Sequence, residues 1–423
     1  MNVPKLRFKE FTDEWKNIKL QKIISIYKEQ STIENQYPML TSSKQGLVLQ
    51  KDYYSNNARI TNRSNIGYNV LPYGYITYRN RSDTGFFTFN INLKLKKGLI
   101  SYFYPVFSLK NSNEYFLVNL LNTKYQFKMY AISEGTSQKV LSIANLKNLK
   151  VLYPSLEEQN KIANFLTTVD KKITNLENTI TSLENQKKGL LQQIFSQKLR
   201  FKDKNGNNYP NWEKKKLGDI ATLKNGISKS NEAFGHGKKF INLQDIFNKS
   251  YIFNDNYSLV DVTEKELSEN NLLKGDVLFV RSSVKREGVG LPCVIMENLI
   301  DTVYSGFIIR CRFNINENIY LHYKKYCFLE FSFRKALLKK SSSSANTNIN
   351  QDNLSKLYVK LPCLEEQTKI ADFLSAFDRK LENQKAQLEH WKQIKKRTIT
   401  TNVRIVRLLF FHEQEKHQKN NNK

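Results

Sequence analysis

The stretch "PSLEEQNKIANFLTTVDKK" occupies residues 154–172, and "PCLEEQTKIADFLSAFDRK" occupies residues 362–380. Twelve of the nineteen aligned positions are identical, at a constant offset of 208 residues. The chain carries one helical segment twice, and the reason for the duplication decides the fold. Pro154, then Ser155, then Glu158 three residues on read as a helix start with a capping box. From there Ile162, Leu166, Val169, Ile173, Leu176, Ile180, Leu183, Leu190 and Ile194 keep a 4,3 spacing broken only at Lys187. A heptad seam sustained over four repeats predicts a coiled coil. The second copy repeats the seam with Ile370, Leu374, Phe377, Leu381, Leu388 and Trp391, with Gln384 at one seam position. About forty residues at ~1.5 Å each give a rod of roughly 60 Å. Two seams in one chain can pack on each other antiparallel, which would hold the rest of each repeat at opposite ends in a pseudo-twofold relation.

The repeat reaches beyond the rods. "LRFKEFTDEWKNIKLQKI" at 6–23 resembles "LRFKDKNGNNYPNWEKKKLGDI" at 199–220, with Trp15 matching Trp212. "LPYGYITYRNRSD" matches "LLKGDVLFVRSSV" through Gly74 and Gly275, and Ala131 matches Ala336. Between lead-in and rod, β-rich runs such as "YITYR", "FFTFNIN", "VLFVR" and "GFIIRCRF" alternate with polar loops and a helix-like segment. The fold class expected is α/β: two α/β domains in tandem repeat, each followed by a long helix, the two helices packing as an antiparallel coiled coil. The expected boundaries are 1–153, a central helix 154–198, 199–361, a distal helix 362–396 and a divergent tail 397–423.

Charge points to the partner. Lys plus Arg number 67 against 39 Asp plus Glu, a net charge of +28. An excess of that size favours a polyanion, since neutralised phosphates release counterions. At 40% hydrophobic and 12% aromatic residues, the chain can bury real cores. Its apolar runs are too short for a membrane span and "MNVPKLRFKE" has no signal-peptide stretch, so the location expected is cytoplasmic. Cys293, Cys311, Cys327 and Cys363 show no metal or disulfide spacing and read as buried thiols.

The rods and lead-ins match closely while the domain interiors hardly do: "YPMLTSSKQGLVLQ" at 37–50 stands where "KFINLQDIFNKSYI" stands at 239–252. A repeated frame with dissimilar interiors suggests one docking geometry aimed at two targets. DNA fits, because phosphates are alike everywhere and base edges differ.

With P-x-L-E-E-Q-x-K-I-A-x-F-L present twice, "NQKKGLLQQIF" at 185–195 and "KGDVLFVRS" at 274–282, the chain resembles the DNA-specificity subunits of type I restriction-modification systems. The resemblance covers nearly all of the chain, to about residue 396. It implies two target-recognition domains, each reading one half of a split DNA sequence, and helices that space them and dock two modification subunits. It also implies that adenine-N6 methylation with S-adenosylmethionine belongs to those partners. ATP and Mg would belong to separate restriction subunits. The residues agree: none of the eight prolines is adjacent to another, so no Asn/Asp-Pro-Pro-aromatic loop exists, and no phosphate-binding G-x-x-x-x-G-K-[ST] occurs. "GVG" at 288–290 reads as a turn and His236 as a loop residue. The chain is expected to have no catalytic, metal or cofactor site of its own. A stand-alone nucleic-acid-binding protein and a coiled-coil scaffold are the rival readings.

The DNA-contact candidates are basic or amide residues on loops leaving predicted strands. They are Lys44, Gln45, Arg79, Arg81, Ser137 and Gln138 in the first repeat, and Asn242, Gln244, Arg281, Lys285, Arg286, Asn346 and Asn348 in the second. Arg forks onto guanine and Asn or Gln onto adenine, while Lys suits phosphate. Partner docking is expected on the flanks of the helix starts, near Phe165 and Phe373.

After Lys396 the match between the rods stops. The first rod continues "GLLQQIF" and the second "RTITTNV". The codons AGG ACT ATT ACA ACA AAT GTT would encode the latter, and dropping the leading A gives Gly-Leu-Leu-Gln-Gln-Met and the start of Phe. This motivates the hypothesis of one inserted base in the A-rich lysine codons, leaving 397–423 out of frame. Codons incompatible with that shift in the gene would refute it.

Overall fold

Short runs of β-branched and aromatic residues build a sheet in each repeat. The computed structural model describes residues 7–400 apart from 44–45, 54–63, 248 and 344–345. It contains two units: residues up to Glu177 together with those from Ala386, and Asn178–Lys385. In the first unit the sheet runs in the order Ile24–Tyr27, Val106–Leu109, Ile76–Tyr78, Phe89–Ile91, every neighbour antiparallel. In the second unit Ala221–Asn225, Ile308–Phe313, Val277–Val280 and Pro292–Ile295 repeat that order and sense, and Tyr251–Ile252 joins in parallel at the far edge. The tandem α/β architecture predicted from the repeat is the one observed.

The units diverge where the sequences do. The first uses a hairpin of Leu40–Ser43 with Gly46–Leu49. The second places Phe234–Ile241 between Ser258–Val260 and Thr302–Tyr304 in a separate sheet.

The duplicated lead-in and the duplicated helix start meet. Lys16–Lys19 pairs antiparallel with Lys150–Tyr153, and Glu213–Lys216 pairs with Tyr358–Leu361. These pairings bring the lead-in arginine and tryptophan onto the first turn of the long helix. Glu158 accepts both Arg7 Nε and Nη2 at 2.8 Å, and Trp15 Nε1 at 3.1 Å. Glu366 accepts Arg200 Nε at 3.1 Å, Nη2 at 2.6 Å and Trp212 Nε1 at 2.9 Å. The two glutamates are 1% and 0% exposed. A forked arginine and an indole N–H at a helix N-terminus are what make a buried carboxylate tolerable. The next motif residue also has a fixed task. Gln159 donates to the Pro154 carbonyl and accepts the Asn113 N–H, while Gln367 donates to Pro362 and accepts from Tyr320. The predicted capping box is half made. Ser155 Oγ accepts the Glu158 N–H at 3.3 Å, but the Glu158 carboxylate is turned to Arg7 and Trp15 instead.

The long helices are Leu156–Phe195 and Leu364–Thr400. The second runs past Lys396, so the sequence break does not end it; residues 401–423 lie outside the described residues. Of the predicted seam, Leu166, Val169, Leu176, Ile180, Leu183, Ile194, Ile370 and Leu374 are buried, while Ile162, Ile173, Leu190, Phe377, Leu381, Leu388 and Trp391 are half-buried. Ion pairs show that the helices run antiparallel. Asp170 pairs with Lys395 at 2.5 Å and Glu177 with Lys392 at 3.0 Å within the first unit. Glu184 pairs with Lys385 at 2.7 Å and Lys187 pairs with Asp378 within the second. Exchanging the repeats turns each pair into another, so Asp170–Lys395 mirrors Asp378–Lys187. This explains the seam break at Lys187. Its ammonium meets Asp378, which also accepts Lys325 Nζ at 2.6 Å and Tyr326 Oη at 2.7 Å. Burial alone would raise the Asp378 carboxyl, but Lys325 and Lys187 outweigh it and hold it below the usual range.

Removing the clamp carboxylate strands a guanidinium in a dry site. Glu158→Ala is expected to cost about 3 kcal/mol, read in urea denaturation, and Arg7→Met with Glu158→Leu together should cost less than that single change.

Candidate nucleic-acid interface

In each unit the strand that follows the matched glycine leads into a polar edge. Gly74 and Gly275 both adopt left-handed backbone (φ 80° and 90°), starting the strands Ile76–Tyr78 and Val277–Val280. Beyond these strands Arg81–Ser82 pairs with Lys139–Val140, and Ser282–Ser283 pairs with Thr347–Asn348. Matching backbone bonds close both corners, Leu141 N–H to the Asn80 carbonyl at 2.8 Å and Ile349 N–H to the Arg281 carbonyl at 3.0 Å. Two of the three loop groups selected in each repeat, far apart in sequence, therefore lie side by side.

In the first unit Arg79, Arg81 and Ser137 are exposed. The Arg81 guanidinium lies 5.2 Å from the centre of the Phe103 ring. Gln138 Nε2 donates to Asp83 Oδ1 at 2.7 Å, tying the two loops together. Lys44 and Gln45 lie outside the described residues. Sequence reasoning missed the aromatic flank. Lys139 Nζ sits 4.8 Å from the Tyr130 ring centre, and Tyr102 and Phe103 are 57% and 43% exposed. Flat rings under cations hold them extended toward solvent. The run "SYFYP" at 101–105 carried that signal, as an aromatic cluster next to a turn.

In the second unit Lys285 and Arg286 are exposed on the turn after Ser282–Ser283. Asn346 is exposed, and Asn348 Nδ2 donates to its carbonyl at 3.0 Å. Arg281 is half-buried, and its Nη1 donates to the Gly306 carbonyl at 2.9 Å. One of its N–H groups therefore braces the protein. Asn242 and Gln244 have local places: Asn242 caps the helix Leu243–Ile246 in a capping box with Asp245, and Gln244 lies within that short helix. The arginines of "GFIIRCRF" face inward. Arg312 forks onto Asp276 at 2.8 and 2.6 Å, and Arg310 Nη1 donates to the Asn271 carbonyl at 2.6 Å.

Residues 12–185 and 209–390, one block per repeat, match the type I restriction modification DNA specificity domain. The chain belongs to this family. It is 25% identical over 332 residues to the MjaVIII type I restriction enzyme specificity subunit of Methanocaldococcus jannaschii, covering 74% of this chain and 76% of that one. It is 24% identical over 255 residues to the EcoKI specificity subunit of Escherichia coli, covering 58% and 54%. The fold resembles the crystal structure of the type I restriction-modification S subunit from M. genitalium, with TM-score 0.56, 16% identity and coverage of 94% and 98%. It also resembles a chain from a structure describing complex assembly and conformational transition of the type I system, with TM-score 0.52, 16% identity and coverage of 92% and 97%. Among the described residues no helix is long and apolar enough to cross a membrane, and no group of three or more His, Cys, Asp or Glu could hold a metal ion.

The geometry separates exposed candidates from braced ones. Lys285→Ala should weaken DNA binding and lower the salt slope by about one, with Tm unchanged. Arg281→Ala should lower Tm as well, since the Gly306 carbonyl loses its donor. Fluorescence anisotropy over a salt series, paired with thermal melts, reads both.

Proposed function

We propose that the chain reads a two-part sequence in double-stranded DNA, one half with each unit, and presents it to two adenine-N6 methyltransferase (modification) subunits. Restriction subunits join the same complex. The observation that carries this reading is the contrast between constant and variable parts. Clamp, sheet order and helix pairing are the same in both units, while the polar edges beside Arg81 and Lys285 differ. A constant scaffold suits the repeating phosphates, and different edges suit different bases. Half-sites read from one face of the duplex would lie about 10 bp apart.

The chain contributes recognition and no reacting group. S-adenosylmethionine would be held by the modification subunits, and ATP and Mg by the restriction subunits. Arg81, Arg79 and Gln138 are the base-reading candidates of the first unit, Asn346 and Asn348 those of the second, with Lys285 and Arg286 on phosphate.

Docking on the helices is supported by an apolar motif residue that stays on the surface in both copies. In L-E-E-Q the second glutamate and the glutamine are buried, yet Leu156 and Leu364 are 43% and 48% exposed at matching positions. An apolar residue repeated on the surface fits a partner contact. Phe165, further along the same helix, is 37% exposed and edge-on to Phe8, whereas Phe373 is half-buried against Phe201 and Phe377.

Co-expression with the modification subunit, followed by long-read mapping of methylated adenines, tests the reading. One two-part motif with a fixed gap is expected. Arg81→Ala should relax one half of it and Asn348→Ala the other. Leu156→Asp with Leu364→Asp should abolish methylation while DNA binding by the isolated chain persists. Tight, sequence-specific binding with no methylated motif would favour a stand-alone binder.

A further inference from the structure

The first unit contains an apolar cavity of about 220 Å³ at the foot of its long helix, whose lining includes Trp15, Phe116, Ile162, Phe165 and Thr398. The second unit shows what belongs there. Repeat matching pairs Trp15 with Trp212, Ile162 with Ile370, and Phe165 with Phe373. Asn113 and Tyr320 both donate their N–H to the motif glutamine, so three residues later Phe116 matches Tyr323. In the second unit these counterparts enclose side chains of the first helix's last turns. Phe195 lies 5.6 Å from Trp212 and 6.1 Å from Tyr323, ring centre to ring centre, and Ile194 and Leu191 complete the same core. Ile194 and Phe195 are 0% and 2% exposed.

The corresponding stretch after Lys396 lacks these side chains. At the repeat offset, Leu190, Leu191, Ile194 and Phe195 correspond to Thr398, Ile399, Asn402 and Val403. Ile399 keeps the apolar bulk of its counterpart. The other three do not, since two are polar and a valine replaces the phenylalanine. Thr398 stands in the cavity wall at the position where the other repeat has a leucine. A small polar residue fills far less of an apolar seat than leucine, and an unfilled seat costs stability in proportion to its volume.

We propose that this cavity is a receptor for an apolar helix end of the pattern Leu-Leu-x-x-Ile-Phe, and that such an end continuing the second helix is its occupant. The match between repeats stops at Lys396, the residue after Lys395, which pairs with Asp170. The charge pairs of the rods are kept up to that point, and the side chains that differ beyond it are the counterparts of Leu190, Ile194 and Phe195. The inference is independent of what DNA the chain reads.

The test uses the full chain with Thr398→Leu, Asn402→Ile and Val403→Phe together, Ile399 being left in place, compared with wild type by thermal melting. A rise in Tm of about 5 °C is expected. No rise, or a fall in a soluble variant, overturns the proposal. That includes the case in which the tail's own apolar run "IVRLLFF" at 405–411 already fills the seat, which ending the chain after Thr400 would reveal as a loss of Tm. Should the variant prove insoluble, a labelled peptide of residues 185–195 is titrated into the wild-type chain. Saturable binding that disappears when the peptide carries Ile194→Asp and Phe195→Asp supports the receptor. Absence of saturable binding overturns it.

Discussion

A buried carboxylate on the first turn of each long helix is the constraint on which the rest depends. Glu158 and Glu366 are tolerated in dry surroundings only because an arginine fork and an indole N–H arrive from the lead-in segment. The lead-in strand must therefore pair with the strand before the helix, and that pairing fixes how the helix leaves the sheet. Replacing either partner costs far more than the pair contributes over an apolar substitute, which makes this device one of geometry more than of stability. Geometry is what a protein needs if two domains of different surface are to meet one regular target.

Much of this was legible in the sequence. The doubled P-x-L-E-E-Q stretch and the 4,3 spacing gave the helices, their pairing and the tandem architecture, because heptad periodicity over four repeats has few alternative explanations. The pairing of Trp15 with Trp212 was visible, but not its reason, since a tryptophan in a polar lead-in does not name its acceptor 143 residues away. Glu158 was read as a capping residue because local spacing favours that role; a long-range guanidinium won the competition. Among the DNA-facing candidates, Arg79, Arg81, Gln138, Lys285 and the Asn346–Asn348 pair reach the two polar edges. Asn242 is engaged in a helix cap instead, because Asx residues before a short helix satisfy its N-terminus first. Arg281 looked like a reader and is partly a brace. The aromatic bed under Arg81 and Lys139 was missed because exposed rings are indistinguishable from core rings in a sequence without burial.

The constant and variable parts divide along physical lines. Buried polar interactions with one acceptable geometry recur unchanged in both units, while edges facing solvent, where many residues are tolerated, differ freely. The hairpin of Leu40–Ser43 and Gly46–Leu49 and the three-stranded sheet around Phe234–Ile241 show how far the surroundings can change on one strand order.

The charges on the rods also choose their company. Where the first helix carries Glu177 and Glu184, the second carries Lys385 and Lys392 at matching positions, and each glutamate faces a lysine. Two copies of the first helix in the same register would set Glu177 against Glu184 twice over; two copies of the second would oppose Lys385 and Lys392. Each half-chain helix against its own image would keep the Asp170–Lys187 or Asp378–Lys395 kind of contact but trade its two Glu–Lys attractions for repulsions, so two different halves pair more favourably than two identical ones. Recognition domains could be exchanged between such chains without disturbing this preference, provided each exchange carried its own rod sign along with it.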